Sequence, residues 1–179
     1  MSELKKVYDT KMKKELMKEL KLKNINEVPK IEKIVISMGL GKSLTDKAML
    51  DEAVKDLSSI TGQKPVVTIA RKSISNFKLR KGAKVGLKVT LRRERMYEFM
   101  ERFFNAALPR IRDFRGISDD SFDGRGNFNL GITDHVIFPE IEYDKIKYSF
   151  GMNVTFVIKS KNDQHSYALL KKLGMPFKK

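Results

Sequence analysis

The sequence has neither cysteine nor tryptophan, and only two histidines. Without cysteine there are no disulfides and no thiolate metal sites, and a reducing compartment is expected. No apolar run is long enough to span a bilayer. The N-terminal stretch MSELKKVYDTKMKKELMKELK is charged throughout and lacks the apolar segment of a signal peptide. A soluble, cytoplasmic protein without membrane attachment is expected. Acids are also scarce, at 22 against 37 lysines and arginines, for a formal net charge of +15. That balance favours a polyanion as partner, either nucleic acid or a membrane surface.

What is present suffices for a core: 41% of the 179 residues are hydrophobic, 11 of them phenylalanine. The length fits one domain, taken as residues 1–179. The charge is not evenly mixed. Residues 71–95 hold ten cations (Arg71, Lys72, Lys78, Arg80, Lys81, Lys84, Lys88, Arg92, Arg93, Arg95) against Glu94 alone, a net +9. Residues 119–144 hold seven acids (Asp119, Asp120, Asp123, Asp134, Glu140, Glu142, Asp144) against Arg125, a net −6. Such segregation points to one face for a polyanion and another for something different.

Apolar periodicity places the elements. Leu4, Tyr8, Met12, Leu16 and Leu20 recur every fourth residue, predicting an amphipathic helix with lysines opposite. In PKIEKIVISMGLG, Ile34, Ile36 and Met38 alternate with Val35 and Ser37, as in a half-buried strand. Thr45 or Asp46 can cap a helix through Leu50, Val54, Leu57 and Ile60, closed by Gly62. KPVVTIAR and KVGLKVTLR predict two strands, and ERMYEFMERFFNAAL a helix that buries Met96, Phe99, Phe103 and Phe104 and ends before Pro109. A looser region rich in Gly and Asp follows, then the strand SFGMNVTFVIKS and a short helix over 163–173. The order predicts an α+β fold: an antiparallel sheet with helices packed on one face, and a long basic loop between two of its strands.

Three enzyme-like motifs fail on chemistry. GLGKS (39–43) lacks the first glycine of a phosphate-binding loop, because Ile36 stands mid-strand where that glycine belongs. DDSFDGRGNFNL resembles a calcium loop at Asp119, Ser121, Asp123 and Gly124, but Leu130 replaces the bidentate glutamate. His135 and His165 have no nucleophile or ligand pattern around them. No catalytic residue, metal site or cofactor is expected.

The stretch ARKSISNFKLRKG (70–82) sets Phe77 among five cations and no acid. Lysine and arginine neutralise phosphates, and an exposed aromatic ring can stack on a base. A membrane surface would want more large apolar groups on one side than Ile74, Phe77 and Leu79 supply. RNA is the expected partner. The acids of 119–144 face a basic protein, solvate a loop, or pair with Arg110, Arg112 and Arg115.

Four stretches then carry a resemblance: GQKPVVTIARKSISNFKLRKGAKVGLKVTLR, LPRIRDFRGIS, SFDGRGNFNLGI and IFPEIEYDKI. In order, and across nearly the whole chain, they resemble bacterial large-subunit ribosomal protein number five. The resemblance implies a non-enzymatic, structural ribosomal protein that helps attach 5S ribosomal RNA in the central protuberance. It implies as partners 5S ribosomal RNA, large-subunit ribosomal RNA and neighbouring ribosomal proteins, P-site transfer RNA and a small-subunit head protein across an inter-subunit bridge. Carried over by position, the ribosomal RNA contacts fall on Ser37, Met38, Gln63, Thr90 and Arg92, with Arg93 adding a cation. The transfer RNA contacts fall on the loop cations Arg71, Lys72, Lys78, Arg80 and Lys81 and on Phe77, and the bridge on Asp119, Asp120 and Asp123. The chain departs from the family pattern where Ser37 replaces Asn, Arg93 replaces Gly and His135 replaces Gln.

Overall fold

A computed structural model describes residues 2–41, 47–142 and 146–178. The chain opens with α1 (Glu3–Val7), which runs through a π-helical segment, Tyr8–Met12, into α2 (Lys13–Glu19). Then come β1 (Lys30–Gly39), α3 (Lys47–Thr61), β2 (Val66–Ile69) and β3 (Lys84–Leu91). Helix α4 (Arg93–Arg102) continues as a second π segment, Phe103–Ala107, and β4 (Phe128–Ile132), β5 (Met152–Lys159) and α5 (Asp163–Lys172) complete the fold. The five strands form one antiparallel sheet in the order β2-β3-β1-β5-β4, as the α+β pattern predicts.

The alternation expected of β1 is the one observed: Ile34, Ile36 and Met38 are buried, while Val35 and Ser37 are partly exposed. Period two delivers this, because successive side chains of a strand point to opposite faces. The four predicted inward residues Met96, Phe99, Phe103 and Phe104 are all buried. Two expectations need correction. The region after α4 is not uniformly loose: it contains β4, whose short run FNLGI carries Asn and Gly in place of branched residues. Pro109 does not follow the end of helical structure but sits inside a 3₁₀ turn, Leu108–Arg110, near its start, where the missing N–H costs nothing. The proposed caps Thr45 and Asp46 lie outside the described residues.

The chain divides into two compact units, each built from separate segments. The first comprises 1–34, 91–130 and 155–179. Its core is aromatic: Phe103, Phe104 and Phe128 each bring a ring to within 6.0–6.4 Å of Phe156. The Tyr8 hydroxyl donates to the Pro29 carbonyl at 2.9 Å, tying the first helix to the start of β1. Burial raises the Tyr8 phenol well above its ordinary value and pushes Tyr97, whose ring lies 6.3 Å away, up to about 12; Asp9 adds to both shifts. At the start of α5, the Asn162 side chain accepts from the His165 N–H, while the Asp163 carboxylate accepts from Gly124 and Gly126.

The second unit comprises 35–90 and 131–154. Leu57 and Ile60 of α3 are buried, as are Leu87 and Val89 of β3. Gly62, at φ +64°, closes α3 by donating to the Ser58 carbonyl. Strands β2 and β3 pair with Val66 opposite Lys88 and Thr68 opposite Gly86. No side chain fits at Gly86, since a Cβ there would strike the Met38 carbonyl oxygen and crowd the Thr68 hydroxyl. His135 is fully buried in this unit. Its Nδ1 accepts from the Phe150 N–H, and its Nε2 lies 3.2 Å from Asp56.

Candidate nucleic-acid interface

The RNA-facing residues expected from the sequence fall in both units. In the second unit, Ser37 lies on the partly exposed side of β1, while the Met38 side chain points into the core, leaving only its backbone for a ligand. Gln63 follows the α3 cap, and its amide nitrogen reaches to 3.5 Å from the Thr90 carbonyl oxygen of β3. The fold therefore brings Gln63 and Thr90 together from 27 residues apart. The same β3 register turns Lys88 outward on the face that carries Thr90. Sequence reasoning places Lys88 in the positive field without singling it out as a site residue. Two-residue periodicity counted back from Thr90 is the signal that finds it.

In the first unit, Arg92 sits in extended backbone just before α4 and pairs with Glu32 at 3.5 Å, both side chains half exposed. Arg93 is exposed, with φ +53°, in the left-handed region. Glycine takes that backbone without strain, and arginine does not.

The basic loop lies wholly in the second unit and has its own local order. At its base the Ala70 N–H donates to the Ala83 carbonyl, and the Gly82 N–H donates to Ala70. Further out, Ile74 and Leu79 pair in both directions at 2.9 and 3.1 Å around a 3₁₀ turn, Ser75–Phe77. Lys78 takes the left-handed conformation that reverses the chain. Phe77 stands at this tip, 72% exposed. Arg71, Lys72, Lys78 and Arg80 are exposed around it, and Lys81 is exposed as well. Ile74, Val66 and Ile69 add exposed apolar surface. The loop thus offers phosphate-binding charge and a ring for stacking on one surface.

Asp119, Asp120 and Asp123 belong to the first unit. Asp119 and Asp120 lie in a 3₁₀ turn capped by Ser118. Asp123 accepts from the backbone of Arg125 and Asn127 and from the Asn127 amide at 2.7 Å, bonds that hold its carboxyl below the usual range. Among the described residues none of these three acids makes an ion pair with Arg110, Arg112 or Arg115. The shape of the loop comes from backbone hydrogen bonds to Asp123 and Asp163.

Comparison with known proteins gives this geometry a family. Residues 24–80 match the family described as ribosomal protein L5, and residues 84–177 match the C-terminus described for the same ribosomal family. The large ribosomal subunit protein uL5 of Geotalea daltonii is 52% identical over 99% of each chain. Its counterpart in Caldanaerobacter subterraneus subsp. tengcongensis is 54% identical over the full length of both, and that of Syntrophotalea carbinolica is 53% identical over 98% of this chain and 96% of its own. The chain belongs to the ribosomal protein L5 family, and is a structural protein of the cytoplasmic large ribosomal subunit rather than an enzyme.

Proposed function

We propose that this protein binds 5S ribosomal RNA and helps attach it in the central protuberance. The 5S contacts use the backbone at Met38 and the side chains of Ser37, Gln63, Thr90, Arg92 and Arg93. The loop from Ala70 to Gly82 touches transfer RNA in the P site through Phe77 and the cations around it. Asp119, Asp120 and Asp123 meet a basic protein of the small-subunit head. The observation that carries this reading is the segregation of charge and polarity among exposed groups. Ser37, Gln63 and Thr90 are half-exposed polar groups on the second unit, and the basic loop of that unit is cationic, exposed and free of acids. Asp119, Asp120 and Asp123, in the first unit, make no ion pair among the described residues.

Titration with 5S ribosomal RNA at several salt concentrations tests the first contact, with log K falling against log salt by about 0.7–0.9 per phosphate neutralised. A slope near zero overturns it. Lys78→Ala, Arg80→Ala and Lys81→Ala together should spare 5S binding and weaken retention of P-site transfer RNA on assembled ribosomes. Loss of 5S binding would reassign the loop. Reversal of Asp119, Asp120 and Asp123 to Lys should weaken subunit association and leave 5S binding normal. Unchanged association would return these acids to the role of loop solvation.

A further inference from the structure

The first helix carries a second cationic surface, distinct from the contacts proposed above. Lys6, Lys11, Lys14 and Lys18 are all exposed. In a regular α-helix Lys11, five residues on, would stand about 140° around the axis from Lys6, and the four would spread over that arc. The π segment Tyr8–Met12 changes the register. A π turn acts as one residue inserted into an α-helix. With that residue absorbed, the four lysines fall at the equivalent of i, i+4, i+7 and i+11, a single face. They extend over about 18 Å of helix.

The acids of the helix are engaged elsewhere. Glu15 and Glu19 both hold Lys172 of α5, at 3.1 and 3.0 Å. Asp9 lies near the tyrosines, where it raises the pKa of both Tyr8 and Tyr97. Glu3 stands in the first turn, where the helix dipole favours an acid. Among the described residues none of the four lysines has an acidic partner. The opposite side of the helix, Tyr8 and Leu16, is buried in the first unit.

We infer that this lysine face binds an RNA phosphate backbone, separately from the residues assigned to 5S ribosomal RNA. Four point charges in a row, with no aromatic or amide group among them, suit sequence-independent phosphate contact. The inference rests on the proposed function only in taking RNA as the polyanion.

The test is lysine acylation read by mass spectrometry on the free chain and on intact large ribosomal subunits. The four lysines should label readily in the free chain, lose labelling several-fold in the subunit and regain it after ribonuclease. Equal labelling in the two states overturns the inference, and so does protection that survives ribonuclease, since a protein would then cover the face. As a second arm, Lys6→Gln, Lys11→Gln, Lys14→Gln and Lys18→Gln are combined in a chain checked for folding by circular dichroism. Binding of a 20-base-pair RNA duplex of arbitrary sequence should then show a salt slope shallower by about 3 units, and an unchanged slope overturns the inference. Because the four lysines lie outside the 5S residues, 5S affinity measured in parallel separates failure here from failure of the 5S assignment.

Discussion

The imidazole of His135 bridges two strangers in sequence: its Nε2 faces Asp56 of α3 at 3.2 Å, and its Nδ1 accepts the Phe150 N–H at 3.2 Å. With Nδ1 accepting, the hydrogen sits on Nε2, the nitrogen that faces the carboxylate. Burial raises the Asp56 carboxyl, and the nearby His135 opposes that shift. A glutamine amide also offers one acceptor and a donor, and so can face the same two groups. His135→Gln should change stability by less than about 1 kcal/mol. His135→Ala leaves a cavity and two unmet polar groups, and should cost about 2–4 kcal/mol. Urea denaturation of the two variants checks both figures, and equal losses would refute the bridging role.

Arg93 keeps its charge at the expense of backbone strain. Arg93→Gly removes the left-handed penalty but adds unfolded-chain entropy, for a net gain of up to about 1 kcal/mol in stability. The same change should make the salt slope of 5S RNA binding shallower by about one unit. A variant that is both less stable and unchanged in slope would contradict both halves.

Gly86 leaves no room above the Met38 carbonyl. Gly86→Ala must push β3 away from β1, at a cost of about 1–3 kcal/mol. Gly39→Ala is the control, because a Cβ there meets nothing within 4 Å. A thermal melt comparing the two variants decides the point.

Tyr8→Phe deletes the hydrogen bond to the Pro29 carbonyl and should cost about 1 kcal/mol. The intact chain also has an alkaline signature. Tyr8 and Tyr97 both hold their protons above the ordinary 10.0. Their contribution is therefore complete below pH 10 and is lost as the pH rises, through about 12 for Tyr97. Chemical denaturation at about pH 8, 10 and 11 should show stability falling mainly in the upper interval, with a smaller fall in the Tyr8→Phe chain.

Elements with strong periodicity are legible from the residues. The strand through Ile34, Ile36 and Met38, the helix through Phe99 and Phe103 and the basic hairpin each follow from one-dimensional patterns. Strand β4 is less legible: Phe128, Leu130 and Ile132 alternate with Asn129 and Gly131, but the run is five residues long and Asn and Gly are poor strand formers. The two π segments are illegible as well, since the every-fourth-residue spacing of Tyr8, Met12 and Leu16 also suits an ordinary helix. Within the candidate site, charge and the exposed ring are readable, but the approach of Gln63 to Thr90 and the burial of His135 depend on contacts far apart in the chain. The burial of Met38 is readable from its alternation with Ser37, and it limits that residue to backbone contact.

The paired hydrogen bonds at the base and tip of the basic loop also bear on how quickly it can be used. An unstructured connection of this length would give up about 1–2 kcal/mol of backbone entropy for every residue gripped by a ligand. Here Ala70 with Ala83, and Ile74 with Leu79, have already met that cost during folding. Phe77 and its cations stand on a prearranged tip, so that a ligand meeting them would not have to order the loop at each encounter.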